Sequence, residues 1–485
     1  MSFINYYGGK NVNTGSTISN GGSRSLFSGR ALAKIMIPLL IQQLLAVMVG
    51  AIDTMMVSYA GDSAVSGVSL VNSLDNLLII FFTAMSAGGS VVVAQLLGKK
   101  QGGDVNEAAK QLIYISTVLA LVLTATVLVL RKPLLNLLFG DAEADVMSSA
   151  MSYFLFVSMS FPMLAISGSA GAVFRASGNS LITLIESLII NVINIGGNAL
   201  FIIVFEMGAA GAGLATLISR TIGATIMLVL IHNKKRSVYV DRLLKYKPDR
   251  GIIKRILRIG VPNGIESAMF QFGRLLTQSL ISSMGTAVIA ANAVALTISN
   301  FQYTVGTACS AAMVAVVGRC IGAGEDEQAK KYSRKILLIN YIALWSVILF
   351  TVVLLRPLIS LYDVSEASAA LGRELILMHC AIAAMIWPIG FMLPSCFRAA
   401  GDVNFTLVVS MLSMWIFRVA GSYVIALEHV SVFGLFAMPG FGLGIHGVWI
   451  AMFLDWVCRV SLFLYRYLCG RWLYVKREKL KWGNK

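Results

Sequence analysis

Phe174-Arg175-Ala176-Ser177-Gly178 returns in the second half of the chain as Phe397-Arg398-Ala399-Ala400-Gly401, and this recurrence decides the fold. Earlier in the chain, proline and glycine residues of the first half also recur as identical residues in the second half, at a constant and slightly larger separation. These pairs are Pro38 and Pro262, Gly61 and Gly285, Gly98 and Gly322, and Pro133 and Pro357. Because self-similarity at a fixed period is the signature of a repeated structural unit, the chain is predicted to contain two tandem copies of one unit.

The composition places these copies in a membrane. Hydrophobic residues make up 57% of the chain, charged residues only 13%, and the mean hydropathy is +0.79, whereas a soluble domain has about 25% charged residues. Since a crossing needs about 20 apolar residues, we predict an all-α polytopic membrane protein with twelve transmembrane helices in two pseudo-symmetric six-helix lobes. The predicted spans are 34–58, 64–96, 107–130, 147–170, 181–205, 211–231, 256–283, 288–318, 335–355, 371–395, 404–427 and 444–468.

The same patterns predict the domain organisation. A polar start rich in Gly, Ser and Asn is expected to be a disordered cytoplasmic tail, and the longest polar stretch between apolar runs is expected to link the two copies. The predicted segments are a tail at 1–30, an N-lobe at 31–231, a cytoplasmic linker at 232–255, a C-lobe at 256–468 and a basic cytoplasmic tail at 469–485.

The net charge of +16 is explained by orientation rather than by nucleic-acid binding. With the N-terminus inside, 31 of the 39 Lys and Arg residues fall on the inner side. This positive-inside pattern predicts a multi-pass protein of the cell membrane with both termini cytoplasmic. The basic residues are then expected to contact anionic membrane lipids.

Several classes of chemistry lack their motifs. No GxxxxGK[ST] loop, HExxH sequence or Gly-x-Ser-x-Gly elbow occurs, and the cysteines form no CxxC pair. We therefore expect no enzyme, no metal site and no cofactor. Two tandem membrane units are the usual architecture of a carrier with a central binding site. Without a nucleotide-binding loop, the energy for transport is expected to come from an ion gradient, Na⁺ or H⁺.

Ionisable side chains inside spans are candidates for function because their burial in lipid is costly. Asp53 lies deep in the first span, and Asn194 and Asn198 lie one turn apart on the fifth, at a similar depth. A carboxylate with amide oxygens can bind Na⁺, or the carboxylate can carry a proton. The alternative is structural: Asp53 bonds to Thr54 or Asn198 and only holds two helices together.

Further charged residues are candidates for the substrate cavity or for a charge relay. Glu266 and Arg274 lie two turns apart on the seventh span, where they form a relay or neutralise one another. The repeat duplicates neither acid, since Asp53 corresponds to Thr277 and Glu266 to Gln42, and this asymmetry favours function. Asp75 is a further candidate without an assigned partner, as are Glu186, Arg220 and Arg418, whereas Asp455 and Arg459 are spaced for an intrahelical ion pair.

Seven short stretches in order resemble a known transporter family, the multidrug and toxic compound extrusion (MATE) family, over about residues 30–470. They are Ile52–Met56 with Ala60–Asp62, Ala94–Gly98, Phe174–Gly178, Asn194–Ile202, Ala290–Ala295, Gly318–Gly324 and Phe397–Asp402.

This resemblance implies two six-helix lobes that export organic cations in exchange for Na⁺ or H⁺. It places the coupling acid at Asp53 and the polar pair at Asn194 and Asn198, although many members carry Asp at the second of these. Some members also place acids where this chain has Phe270 or Gln271, and Trp387. A second-lobe cation site of that kind is therefore expected to be missing, unless Glu266 substitutes for it.

The leading expectation is an antiporter for small amphipathic organic cations, with no nucleic-acid partner and a monomeric state. Arg175 and Arg398, which recur in both copies, are expected to be structural, binding helix carbonyls or lipid phosphate. The alternative is a flippase for a lipid-linked precursor or an exporter of an anionic metabolite, which would need arginines facing the cavity. A membrane-embedded enzyme or a channel is a weaker third reading.

Overall fold

The computed structural model describes residues 26–100, 102–140, 142–241, 247–362, 364–432 and 436–473. The predicted N-terminal tail up to residue 25, part of the linker and the end of the basic tail lie outside these residues.

The first repeat forms seven helices. The first begins at an N-cap, where Ser28 Oγ accepts the backbone N–H of Ala31 at 3.2 Å. The helices are α1 (Gly29–Ser58), α2 (Asp62–Gly98), α3 (Gly102–Phe139), α4 (Ala144–Met159), α5 (Phe161–Ala176), α6 (Ser180–Asn198) and α7 (Gly208–Ile231), with a π-helical segment at Ala199–Val204.

The second repeat follows the same order with more interruptions. Its helices are α8 (Arg250–Ser282), α9 (Thr286–Ala323), α10 (Asp326–Val353), α11 (Leu355–Ser360), α12 (Glu366–Trp387), α13 (Pro394–Ala400), α14 (Val403–Ser413), α15 (Gly421–Ala426) and α16 (Gly444–Leu468). Two π-helical segments, Pro388–Met392 and Met414–Ala420, join α12 to α13 and α14 to α15. A short antiparallel hairpin, β1 (His429–Val432) and β2 (Phe436–Pro439), pairs His429 with Pro439.

The repeated glycines have a backbone reason. Gly61 and Gly285 precede α2 and α9, and their φ angles are +94° and +100°. Because side chains are strained in this region, glycine is favoured at both places. The sequence repeat is therefore also a repeat of backbone conformation.

Among the described residues, ten helices are long and apolar enough to cross a membrane, and the bent pair α4 and α5 raises the number to eleven. The one predicted crossing outside this count is the seventh, which corresponds to α8. This helix has 33 residues and is long enough, but it includes Lys254, Arg255, Arg258, Glu266 and Arg274. Large apolar side chains are widely exposed on these helices, for example Leu137 at 83% and Val129 at 79%. Such a surface is compatible with lipid rather than water as solvent.

Two predicted spans of the first repeat differ clearly from the observed helices. Residues 147–170 were predicted to form one span, but the chain bends by 44° between α4 and α5 at Ser160. Pro162, at the start of α5, lacks the N–H that a continuous helix requires. The span predicted at 107–130 continues as helix to Phe139, past Arg131 and Lys132, because hydropathy marks the lipid boundary and not the end of the helix.

The chain folds into two compact units. Unit 1 comprises the described residues up to Gly264 together with Gly318–Gln328, and unit 2 comprises Ile265–Val317 and the described residues from Ala329 onwards. The buried core of unit 1 includes Val71, Phe154 and Phe161. That of unit 2 is rich in tryptophan, with Trp387, Trp449 and Trp456. The end of the N-lobe at residue 231 and the start of the C-lobe at residue 256 stay a prediction.

Candidate functional site

A polar cavity of about 400 Å³ lies inside unit 1. Five helices line it: α1, α2, α4, α6 and α7. Its charged and amide side chains are Asp53, Asn72, Asp75, Asn76, Asn191, Asn194, Asn198 and Arg220. So many polar groups within membrane-spanning helices are expensive to bury, and they make this cavity the candidate functional site.

The structure brings Asp53, Asn194 and Asn198 together. Asn198 Nδ2 donates to Asp53 Oδ1 at 3.0 Å. In the amide orientation that matches donors with acceptors, Asn194 Nδ2 donates to the same oxygen at 2.8 Å. The asparagines reach one carboxylate because residues four apart share a helix face. Thr54 bonds instead to the carbonyl of Gly50, at 3.0 Å, so Asn198 is the partner.

This arrangement is chemically suited to a small cation. Asp53 is half-buried. The side-chain amide oxygen of Asn198, Oδ1, is buried and has no hydrogen-bond partner among the described residues. A carboxylate beside a free amide oxygen offers two hard oxygen ligands. Two amide donors also stabilise the charged carboxylate, each such bond being worth about 1.5–3 kcal/mol. The roles assigned to these three residues stay a prediction.

Asp75, expected as a cavity or relay residue without a partner, forms an ion pair on the same cavity. Arg220 Nη2 lies 3.1 Å from Asp75 Oδ2, and its Nη1 donates to Ser160 Oγ at 2.8 Å. Arg220 thereby connects α2 and α7 to the bend between α4 and α5. Both ionisable residues stood out in the sequence, but their 145-residue separation gave no sign that they pair.

Tyr153 is a cavity residue that the sequence did not indicate. Its hydroxyl donates to Asn72 Oδ1 at 3.1 Å, and it lies within electrostatic range of Asp53, Asp75 and Arg220. A tyrosine in a membrane helix is ordinarily read as packing. Its proximity to these three charged residues emerges only from the fold.

In unit 2 Glu266 pairs with Arg398, so the alternative in which Glu266 and Arg274 neutralise one another is wrong. Glu266 Oε1 lies 3.1 Å from Arg398 Nη2 and accepts a hydrogen bond from Ser410 Oγ at 2.8 Å. The helix spacing allowed Arg274, but a tertiary partner is closer to the carboxylate. The expectation that Arg398 binds helix carbonyls or lipid phosphate is corrected at the same time.

Four further predicted residues lie in unit 2. Gln271 and Arg274 are half-buried on α8. Asp455 and Arg459 form the expected intrahelical pair, with 2.7 Å between Asp455 Oδ1 and Arg459 Nε. Among the described residues, no group of three or more His, Cys, Asp or Glu side chains is placed to hold a metal ion.

Comparison with known proteins agrees with the repeat. A family model described as MatE matches residues 38–200 and again residues 262–424. The chain belongs to the MatE family. The two matches have the same length and begin at the repeated prolines, Pro38 and Pro262, so each repeat is one family unit. As a MATE protein, the chain is a multi-pass membrane transporter rather than an enzyme, and the resemblance seen in its motifs is confirmed.

Curated relatives cover nearly the whole chain. YisQ, a transporter of Bacillus subtilis, is 26% identical over 438 residues, covering 88% of this chain and 91% of its own. NorM of Thermotoga maritima, named as a probable multidrug resistance protein, is 25% identical over 464 residues, covering 93% and 95%.

Solved structures share the fold. A transporter of the MOP superfamily from Pyrococcus furiosus superposes with a TM-score of 0.82 at 19% identity, covering 92% of this chain and 96% of that one. A MATE structure in the bent conformation has a TM-score of 0.81 at 19% identity, covering 93% and 96%. The predicted fold class is thereby confirmed.

Proposed function

We propose that this transporter is a secondary antiporter that expels small amphipathic organic cations in exchange for Na⁺ or H⁺. The observation that carries the proposal is the bonding of Asp53 to Asn194 and Asn198 at the cavity of unit 1. The multidrug resistance named for NorM, which is similar over nearly the full length, supports the cargo class.

The coupling step follows from the charge of Asp53. When the carboxylate is charged, it accepts bonds from both amides. Binding of Na⁺ or a proton removes or satisfies that charge and lets the amides turn to other partners. An ion that binds one packing of α1 against α6 more tightly than another shifts the population between them. Cargo and coupling ion then occupy the transporter alternately, as exchange requires.

Orientation is part of the proposal. We place both termini on the cytoplasmic side, because 31 of 39 basic residues then lie on the inner side. The lipid contacts of those residues and a monomeric state are proposed with it.

The test is export of ethidium from proteoliposomes that contain the full chain, under an imposed Na⁺ or H⁺ gradient. Wild type is expected to export ethidium under one of the two gradients, which identifies the ion. Asp53→Asn removes the charge while keeping the size of the side chain, and gradient-driven export is expected to be lost. The matched control is Asp62→Asn, because Asp62 is an exposed acid at the start of α2 and full export is expected there.

Two results would overturn parts of this proposal. Full export by Asp53→Asn would remove Asp53 as the coupling residue. No ethidium export by folded wild type under either gradient would reject a cation cargo and favour the lipid-linked or anionic alternative.

A further inference from the structure

Unit 2 contains a cluster of arginine and aromatic side chains that the proposed coupling site does not use. We define the Arg418 cluster as Phe270, Arg274, Phe391, Arg418, Asp455 and Arg459. Arg418 and Arg459 both lie against the ring of Phe270, with the guanidinium carbon 5.5 Å from the ring centre in each case. Arg459 also lies 5.4 Å from the ring centre of Phe391. Aromatic faces attract cations, so the rings hold these guanidiniums in place.

The charges of this cluster do not balance. Asp455 forms its salt bridge with Arg459, at 2.7 Å, and also lies within electrostatic range of Arg418. Arg418 forms no salt bridge within the part of the chain that the structure describes, and Arg274, within electrostatic range, adds a further positive charge. The cluster thus has three guanidiniums and one carboxylate. Uncompensated positive charge inside a membrane span costs several kcal/mol, and an anion would relieve that cost.

Arg418 has free hydrogen-bonding capacity. It is 9% exposed, and its Nε is buried with no hydrogen-bond partner among the described residues. Guanidinium is a planar fork that binds carboxylates and other anions well. The contact with the Phe270 ring fixes the position of the Arg418 guanidinium but uses none of its N–H groups. These N–H groups can therefore donate hydrogen bonds to an anion.

Two π-helical segments contribute to the cluster. Arg418 lies in Met414–Ala420, and Phe391 lies in Pro388–Met392. Such segments are frequent at functional sites because the extra residue re-aims side chains and frees backbone groups. A regular helix through either region would place these side chains elsewhere. The local backbone is thus consistent with a binding site rather than with incidental packing.

The repeat relates this cluster to the cavity of unit 1. The two family matches end at residues 200 and 424. At that separation Asp53 corresponds to Thr277. After the two Phe-Arg motifs the separation is 223, so Asn194 corresponds to Phe417, the neighbour of Arg418 in the chain. The second repeat thus has a hydroxyl residue at the place of the carboxylate, and an arginine next to the place of an amide.

We propose that unit 2 carries an anion-binding site centred on Arg418, which takes a monovalent anion, either free chloride or a carboxylate group of a transported solute. The anion accepts hydrogen bonds from the Arg418 guanidinium and offsets the charge that Asp455 leaves unbalanced. This site goes beyond the proposed cation exchange and does not depend on it. The two lobes then bind charges of opposite sign.

The test is the apparent Tm of the full-length protein in detergent, read by tryptophan fluorescence at constant ionic strength. Sodium isethionate, with its bulky sulfonate, is replaced stepwise by sodium chloride or by sodium benzoate. An anion that binds the folded state stabilises it in a saturable way. Wild type is expected to show a saturable rise in Tm with chloride, benzoate or both.

Variants assign the effect to the cluster. Arg418→Gln is expected to remove the saturable rise or to raise its midpoint concentration at least about tenfold, since the charge and the fork are lost. Arg418→Lys, which keeps the charge only, is expected to retain a weaker response. Arg356→Gln is the matched control, because Arg356 is exposed on α11 and the response is expected to be unchanged.

The outcomes separate the sources of the anion. Saturation by chloride identifies a halide site, and saturation by benzoate alone identifies a site for a cargo carboxylate. No saturable response of wild type to either anion overturns the proposal, even if Arg418→Gln fails to fold. A response that persists in folded Arg418→Gln overturns it as well. Because no gradient or organic cation is used, this result is independent of the ethidium assay.

Discussion

At the scale of single residues, the Asp75 and Arg220 pair shows how a charge is retained in a membrane helix. Asp75 is 6% exposed, and one of its carboxylate oxygens accepts from Arg220 while the other, Oδ1, has no hydrogen-bond partner among the described residues. A buried pair gains little over an apolar replacement, but removing one partner leaves an uncompensated charge. The pair is therefore expected to be strongly coupled.

We expect Arg220→Met and Asp75→Leu each to destabilise the protein by about 3–5 kcal/mol. The double variant is expected to lose much less than the sum, because no charge is left alone. Apparent Tm in detergent and denaturant unfolding measure this cycle. The exposed pair Lys234 and Asp241, 3.0 Å apart, is the control, and its substitutions to Met and Leu should cost about 0–1 kcal/mol. Additive losses at Asp75 and Arg220 would contradict the coupling.

At the scale of helices, the matching arginines of the two repeats, Arg175 and Arg398, each interact with an acid, but the two acids lie on helices that do not match. Glu266 on α8 lies 3.1 Å from Arg398, whereas Arg175 interacts electrostatically with Glu186 on α6. By the repeat, the place of Glu266 is Gln42 in the first half, and the place of Glu186 is Val409 in the second, counted from the two Phe-Arg motifs. The acid that interacts with the arginine thus lies on non-matching helices in the two repeats.

This arrangement predicts that the acid of unit 1 can be relocated. Gln42 Oε1 accepts from Thr183 Oγ1 at 3.2 Å, and Thr183 and Arg175 both border Gly171. Glu186→Val is expected to lower the apparent Tm, because Arg175 loses its counter-charge at a cost of about 3–5 kcal/mol. Adding Gln42→Glu to that variant is expected to recover most of the loss, whereas Gln42→Glu alone should destabilise the protein. No recovery would show that the acids are not equivalent.

The outcome for these elements also shows how far sequence reasoning reaches. The last span was predicted at 444–468, and α16 is Gly444–Leu468. Depth along the helices placed Asp53 beside Asn198, since both lie similarly far from the same membrane face. The partner of Glu266 was missed because Arg398 is 132 residues away and its own helix is interrupted by a π-helical segment. Hydropathy locates spans, but it carries no information on interhelical register.

At the scale of the whole chain, the two repeats meet at twin glycines within unit 1. Gly98 near the end of α2 lies against Arg319, Gly322 and Ala323 near the end of α9, and Gly322 lies against Gln95. A Cβ on either glycine would overlap backbone atoms, with 2.7 Å to the Ala323 nitrogen from Gly98. Close backbone approach of this kind is available only to glycine. The matched positions of these glycines in the two repeats therefore have a packing reason at this crossing.

We expect Gly322→Ala to destabilise the protein by about 1–3 kcal/mol, because backbone atoms cannot move aside as a flexible side chain would. Gly98→Ala is expected to have a similar effect. The double variant should cost less than the sum, since the first substitution already separates the two helices. Gly103→Ala is the control: an added Cβ there meets nothing within 4 Å, so its apparent Tm should match or exceed that of wild type. A Tm for Gly322→Ala equal to that of Gly103→Ala would mean that the repeats do not depend on this crossing, and the matched positions of the two glycines would then need another physical cause.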